Sequence, residues 1–147
     1  MKVYNGEGLL LGRLCSAVAK DILLGEEVKV VNCEKVIISG GRRKVFAQEK
    51  ERRLRRGYPL KSQKRPRMSD RYVRRAIRGM VPWKLSRGKE AFKRVMCYIG
   101  VPEEFKDSNK ITIESASVKK LPNLKYVTVS EVIKEIGGKE QWVKNQK

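Results

Sequence analysis

Residues 3–32, with the sequence VYNGEGLLLGRLCSAVAKDILLGEEVKVVN, contain two kinds of apolar pattern. A short run of β-branched and aromatic residues begins the stretch and another ends it, which predicts a strand on each side. Between them, apolar residues recur every three or four positions from Leu11 to Ile22, a spacing that is typical of an amphipathic helix. A strand, a helix and a strand within about 30 residues predict a right-handed βαβ crossover, and hence a parallel sheet in an α/β protein.

Three glycines, Gly6, Gly8 and Gly12, follow the first strand, and the last of them lies where the helix opens. They resemble the loop of a dinucleotide-binding domain, so a nucleotide-dependent RNA-modifying enzyme is one function class to consider. The spacing differs from that motif, because the third glycine of G-x-G-x-x-G would fall on position 11, which is Leu11. We therefore interpret these residues as the glycines of an ordinary turn and keep the enzyme as an alternative.

Most of the positive charge lies in the middle of the chain. The 147 residues include 35 Lys and Arg against 16 Asp and Glu, a net charge of +19, and residues 42–94 contain 21 of the basic residues but only four acidic ones. A polyanion stabilises such a concentration of charge, and nucleic acid is the first candidate, ahead of an anionic membrane surface. Because the chain contains no His, catalytic and zinc sites that need imidazole are excluded.

The three cysteines, Cys15, Cys33 and Cys97, are isolated in the sequence. We expect small buried thiols in a reducing compartment rather than metal ligands. No apolar run reaches the ~20 residues that a membrane span needs, and no signal peptide follows Met1. We therefore expect one soluble intracellular domain over residues 1–147, with no cofactor, no metal and no small-molecule substrate.

The basic section begins with a glycine turn after a β-branched run at 36–38. Arg42, Arg43 and Lys44 follow Gly40 and Gly41 directly, which predicts a phosphate site, with a solvated turn as the alternative. Residues 44–56 favour a polar helix, in which Glu49 can pair with Arg53 and Glu51 with Arg55. Residues 58–68 contain two prolines and no acid, which indicates an extended arm.

Two further helices are predicted after the arm. Ser69-Asp70 is a plausible N-cap, followed by an inward stripe of Val73, Ala76, Ile77 and Met80, with Arg71, Arg74, Arg75 and Arg78 off that stripe. Ser86 is a plausible N-cap for a helix that turns Phe92, Val95 and Met96 inward. Near the end of the chain, Thr128-Val129-Ser130-Glu131 predicts a capping box, and Gly137-Gly138 predicts the end of that last helix.

The arginine face has two interpretations, a solvated surface and a nucleic-acid interface. Solvated faces usually mix both signs of charge, whereas Asp70 is the only acid between Glu51 and Glu90. Tyr58, Tyr72 and Trp83 lie among these residues and are suited to stacking on bases. For Tyr72 and Trp83, packing on the core is an equal alternative. Folded RNA suits the arm better than a regular duplex does, although a non-specific DNA compactor stays open.

The candidate RNA-binding residues are the glycine turn and the basic and aromatic residues after it. They are Gly40, Gly41, Arg42, Arg43, Lys44, Arg52, Arg53, Arg56, Lys61, Lys64, Arg65, Arg67, Arg71, Arg74, Arg75, Arg78, Trp83, Lys84, Arg87 and Lys89.

Several stretches carry a family resemblance. They are LGRL at 11–14, VNCEKV at 31–36, RAIRGMVP at 75–82, RGKEAF at 87–92, YIG at 98–100 and LKYVT at 124–128. With them the whole chain resembles the universal large-subunit ribosomal protein L-thirteen family in its archaeal form. The resemblance implies a three-layer α/β/α domain with a four-stranded, mainly parallel sheet. It also implies direct binding to large-subunit (23S-type) rRNA beside neighbouring ribosomal proteins, a role in early subunit assembly, a place in the cytoplasmic ribosome and no catalysis.

Overall fold

The computed structural model of the protein describes residues 1–55, 57 and 65–138. Residues 58–64 of the predicted arm lie outside them. The helices and strands follow in the order β1 (Lys2–Asn5), α1 (Leu11–Leu23), β2 (Val28–Val31), β3 (Ile37–Ser39), α2 (Arg42–Leu54), α3 (Ser69–Met80), α4 (Ser86–Lys93), β4 (Val95–Cys97), β5 (Lys110–Ile111), β6 (Tyr126–Thr128) and α5 (Val129–Glu135).

Four strands form a parallel sheet in the order β4-β2-β1-β5. The first two are the strands predicted on either side of α1, so the βαβ unit is confirmed. Tyr4 lies opposite Val30, and Val30 lies opposite Cys97, which brings these three residues to one face of the sheet. Since side chains alternate along a strand, Val3 and Val31 belong to the other face.

The two faces of the sheet are covered differently. On the first face, Tyr4 and Val30 pack with buried residues of α1, α3 and α4 in the main core. On the second face, Val3 and Val31 pack against Phe105, which comes from a short 3₁₀ turn. The expected three-layer α/β/α architecture with a four-stranded sheet is confirmed. The outer layer on the second face is thinner than the layer on the first.

A second, two-stranded sheet lies beside the first. In it β3 pairs antiparallel with β6, so that Ser39 lies opposite Tyr126. A small apolar cluster of Val45, Val127 and Val132 then joins α2 to β6 and α5. This sheet places the beginning of the basic section next to a segment more than 80 residues further along the chain.

The predicted N-caps of α3 and α4 and the predicted inward face of α4 need correction. Ser69 and Ser86 are the first residues of α3 and α4, and Met68 and Leu85 hold the N-cap positions without a side-chain capping bond. Met96 lies on β4 and is 36% exposed, so it does not continue the inward face of α4.

Helix α5 begins with the predicted capping box, which is confirmed. The Thr128 hydroxyl accepts a hydrogen bond from the amide of Glu131 at 3.3 Å, and the Glu131 carboxylate accepts one from the amide of Thr128 at 3.4 Å. Among the described residues, no helix is long and apolar enough to cross a membrane.

Candidate nucleic-acid interface

Helix α3 has one buried face and one basic face, as its sequence predicts. Val73 and Ile77 are fully buried, because this side of the helix packs against α1 and the sheet. Arg71 and Arg75 are exposed on the opposite side. The inward prediction for Met80 is wrong: it is 42% exposed, at the end of the helix where the stripe has turned away from the core.

The other two arginines of α3 are half-buried against aromatic rings. The guanidinium carbon of Arg78 lies 4.0 Å from the centroid of the Trp83 ring, and that of Arg74 lies 4.8 Å from the Phe92 ring. Trp83 and Phe92 meet edge to face, with centroids 5.1 Å apart and an interplanar angle of 88°. Cation–π contacts of this kind restrict the guanidinium groups, so that α3 and α4 form one connected surface.

Gly88 lets α4 approach the turn that carries Trp83. A Cβ atom at this position would lie 2.1 Å from the carbonyl oxygen of Pro82, which no side chain can tolerate. The glycine in the RGKEAF stretch is therefore required for packing. Sequence reasoning missed it, because a glycine within a helix predicts only weak helix formation.

Helix α2 is joined to α3 through a buried carboxylate. Glu49 is 5% exposed and accepts a hydrogen bond from Arg52 Nη1 at 2.8 Å. Burial, followed by the charge of Glu49 and a hydrogen bond to it, raises the pKa of Tyr72 on α3. The predicted Glu49–Arg53 pair is wrong, because Arg53 donates instead to the carbonyl oxygen of Ile136.

The second predicted pair on α2 is confirmed, since Arg55 Nη2 donates to Glu51 Oε1 at 2.7 Å. Between α2 and α3 lies a cleft of about 370 Å³, whose basic lining residues are Arg52, Arg65 and Arg75. The two helices therefore present their arginines around a shared depression.

The glycine turn leads directly into α2. Gly41 is the N-cap residue and α2 begins at Arg42, two residues before the start that composition predicts. The amide of Gly40 donates to the carbonyl oxygen of Lys125 at 2.9 Å, which fixes the turn against the segment before β6. The exposed side chains of Arg42, Arg43 and Lys44 then follow in the first turn of the helix.

A groove of about 550 Å³ lies between this turn and β6. Its lining includes Leu124, Lys125 and Tyr126, which sequence reasoning did not include in the site. The only sequence signal for them is the LKYVT stretch, because their proximity to Arg42 depends on the pairing of β3 with β6.

The other candidate residues are distributed as follows. Arg67, Lys84, Arg87 and Lys89 are exposed on the segment before α3, on the turn before α4 and on α4 itself. Arg56, Lys61 and Lys64, together with Tyr58, lie outside the described residues. Helices α2, α3 and α4 are thus linked by contacts, and their exposed basic side chains form the candidate interface.

The glycines before α1 belong to a tightly packed turn. A Cβ atom on Gly6 would lie 2.7 Å from Val36 Cγ2, and Leu9 and Leu10 are buried where they bridge to Ser117 and Ile37. This packing supports the interpretation of an ordinary turn, because the apolar side chains fill the space that a pyrophosphate would need.

The cysteines are buried free thiols, as expected. A hydrogen bond with Cys97, followed by burial, raises the pKa of Cys33, and burial raises the pKa of Cys15. Protonated thiols are poor nucleophiles and poor metal ligands. Within the described part of the chain, no group of three or more Cys, Asp or Glu side chains is placed to hold a metal ion.

Comparison with known proteins identifies the family. A family model described as Ribosomal protein L13 matches residues 1–104. The chain is 43% identical over 140 residues to the Large ribosomal subunit protein uL13 of Methanosarcina barkeri, covering 95% of this chain and 99% of that protein. It is 45% identical over 143 residues to the protein of the same name from Methanococcus maripaludis, with the same two coverages. The Archaeoglobus fulgidus protein of that name is 42% identical over 136 residues, covering 92% of this chain and 86% of its own length. These matches confirm the resemblance to archaeal proteins, and the chain belongs to the ribosomal protein L13 family, a family of non-enzymatic proteins.

Proposed function

We propose that this protein is a structural constituent of the large ribosomal subunit and binds large-subunit rRNA through residues 42–94. The observation that carries the proposal is the connected basic surface of α2, α3 and α4. Two of the four acids in this section already have an arginine partner, since Glu49 is buried beside Arg52 and Glu51 is paired with Arg55. Exposed basic side chains remain on all three helices.

Phosphate neutralisation is the physical basis of the proposed binding. Each Lys or Arg that meets a phosphate releases condensed counterions, so affinity falls steeply as salt concentration rises. Arginine also binds phosphate through two parallel hydrogen bonds, which fixes orientation as well as charge. We infer that Arg71, Arg75 and the exposed basic residues of α2 and α4 hold several RNA segments against one protein.

The proposal extends to assembly and location. A protein that bridges several RNA segments lowers the electrostatic cost of bringing them together, which supports a role early in subunit assembly. The packing of α1, α3 and α4 on the four-stranded sheet, and of α2 and α5 on β6, supports one functional domain. We propose that it acts in the cytoplasmic ribosome, with rRNA and neighbouring large-subunit proteins as its partners.

The direct test is sedimentation of a cell lysate, followed by mapping of protein–RNA crosslinks. The protein is expected to travel with large subunits, and crosslinks are expected within residues 42–94. Recovery at the top of the gradient without rRNA crosslinks would reject the proposal. Equal affinity for random duplex DNA and for rRNA at physiological salt would favour a DNA compactor instead. Depletion of the protein is expected to accumulate incomplete large subunits.

A further inference from the structure

The groove between the glycine turn and β6 combines exposed apolar side chains with positive charge. Leu124 is 84% exposed and Tyr126 is 42% exposed. They share the lining with Gly41, Arg42, Arg43, Lys44 and Lys125. Two neighbouring exposed apolar side chains beside several basic ones give this groove the composition of a binding site for an anion with an apolar face.

The backbone under Tyr126 is held rigidly. Tyr126 lies opposite Ser39 in the antiparallel pair of β3 and β6. Its neighbour Val127 is 1% exposed and packs with Val45 of α2. Because side chains alternate along a strand, burial of Val127 directs Tyr126 to the outer surface. The aromatic ring is thus presented on a fixed support rather than on a free loop.

The charge of the groove identifies the class of ligand. Among the described residues that line it, four are basic and none is acidic. An adjoining groove of about 370 Å³ shares Gly41, Lys44 and Lys125 and likewise has no acid among its described lining residues. A ligand that fits both features carries negative charge beside a flat apolar surface.

An unstacked nucleotide meets both requirements. Its phosphates suit the basic side chains, and its base has a π face that stacks on an aromatic ring whatever the sequence. A helical peptide fits less well, because a peptide helix needs an apolar row of three or four anchoring positions, whereas this groove offers Leu124 and Tyr126.

We propose that this groove holds one unstacked nucleotide of large-subunit rRNA, with its base on Tyr126 and Leu124 and its phosphates on Arg42, Arg43 and Lys125. The inference rests on the proposed function and adds a contact outside residues 42–94. It assigns a direct RNA-binding role to the LKYVT stretch, which composition alone places in a nearly neutral part of the chain.

The test compares the binding of a large-subunit rRNA transcript to full-length variants over a range of salt concentrations. Tyr126→Ala is expected to weaken binding about 5- to 160-fold, the range for loss of one stacked base, with no change in the salt slope. Tyr126→Phe is expected to bind like the unaltered protein, because the ring is kept. Leu24→Ser is a matched control, since Leu24, the C-cap residue of α1, is 73% exposed beside the acidic Glu26 and Glu27. It is expected to change nothing.

Two further measurements distinguish a failure of the nucleotide-site proposal from a failure of the rRNA-binding proposal. Leu124 lies outside any strand, so Leu124→Ser reports on the groove even if Tyr126→Ala disturbs the β3–β6 pair. Crosslinks from a 4-thiouridine transcript are expected at Tyr126 or Leu124. If Tyr126→Ala and Leu124→Ser bind normally while Arg71→Gln/Arg75→Gln binds weakly, the nucleotide site is refuted and rRNA binding stands. If the double arginine variant also binds normally, rRNA binding through this surface is refuted.

Discussion

Arg78 on α3 and Trp83 on the following turn form a cation–π pair, with 4.0 Å between the guanidinium carbon and the ring centroid, closer than the other such pairs among the described residues. The contact gives Trp83 a role that its sequence position leaves open. The ring holds an arginine in place on one side and meets Phe92 on its edge. An arginine held in this way loses less conformational entropy when it binds a phosphate.

Substitution of Trp83 tests this role. Trp83→Ala is expected to raise the Kd for rRNA roughly 2- to 30-fold, corresponding to about 0.5–2 kcal/mol for the lost cation–π contact. A double-mutant cycle with Arg78→Gln measures the effect, because the two substitutions should not be additive. Additive losses would show that Trp83 does not act through Arg78, and Trp83→Phe serves as the conservative control.

Removal of the Glu49 charge is expected to loosen α2 from α3. Glu49→Gln should lower the free energy of unfolding by about 1–3 kcal/mol, since Arg52 and Tyr72 lose a buried charged partner. Urea denaturation measures the change. Glu51→Gln on the same helix is the matched control, and water around the exposed Glu51–Arg55 pair should leave its effect small. Equal losses for both variants would contradict the buried junction.

Two helical glycines allow a matched comparison. Gly88→Ala should lower the free energy of unfolding by about 1–3 kcal/mol, because the new methyl group meets the Pro82 carbonyl and forces α4 away. Gly79→Ala on α3 should raise it by about 0.5–1 kcal/mol, since a Cβ atom there meets nothing within 4 Å. Thermal denaturation distinguishes the two, and a neutral Gly88→Ala would show that the packing is looser than described.

Stability is expected to fall at alkaline pH because of a buried tyrosine. Burial, then a hydrogen bond and charge from Asp21, raise the pKa of Tyr4 to about 12, and the Tyr4 hydroxyl donates to Asp21 Oδ2 at 2.6 Å. The unfolded chain loses this proton near pH 10, so the contribution is complete below pH 10 and is lost as pH rises toward 12.

Urea denaturation at several pH values measures this loss of stability. Tyr4→Phe should show a smaller decline between pH 10 and 12 than the unaltered protein, because it has no phenol to titrate. All other titratable groups are the same in the two proteins, so the difference between them reports on the Tyr4 phenol. Identical declines would indicate that the Tyr4 phenol has the same pKa in the folded and unfolded chains.

The local patterns of the sequence predict much of the fold. Apolar spacing identifies the β1-α1-β2 unit and the buried face of α3, because both follow from contacts within one element or between neighbours. The pairing of β3 with β6 is not predictable in this way, since it joins residues about 90 positions apart. The groove at Tyr126 depends on that pairing and is absent from the predicted site for the same reason.

Salt-bridge partners are likewise only partly predictable from sequence spacing. The i,i+4 rule predicts both Glu51–Arg55 and Glu49–Arg53, and only the first forms. The exposed pair obeys local geometry, whereas the buried Glu49 is positioned by Tyr72 on another helix. Local rules therefore hold best on the surface of this protein, and tertiary packing decides the arrangement at its helix junctions.

The salt dependence of rRNA affinity tests the central claim most directly. Arg71→Gln/Arg75→Gln should make the slope of log affinity against log salt shallower by about 1.4–1.8, because two phosphate contacts are lost. Lys119→Gln/Lys120→Gln removes two exposed charges outside residues 42–94 and should leave the slope unchanged. Equal slopes for the arginine variant and the unaltered protein, with equal affinities, would contradict the assignment of α3 to the rRNA interface.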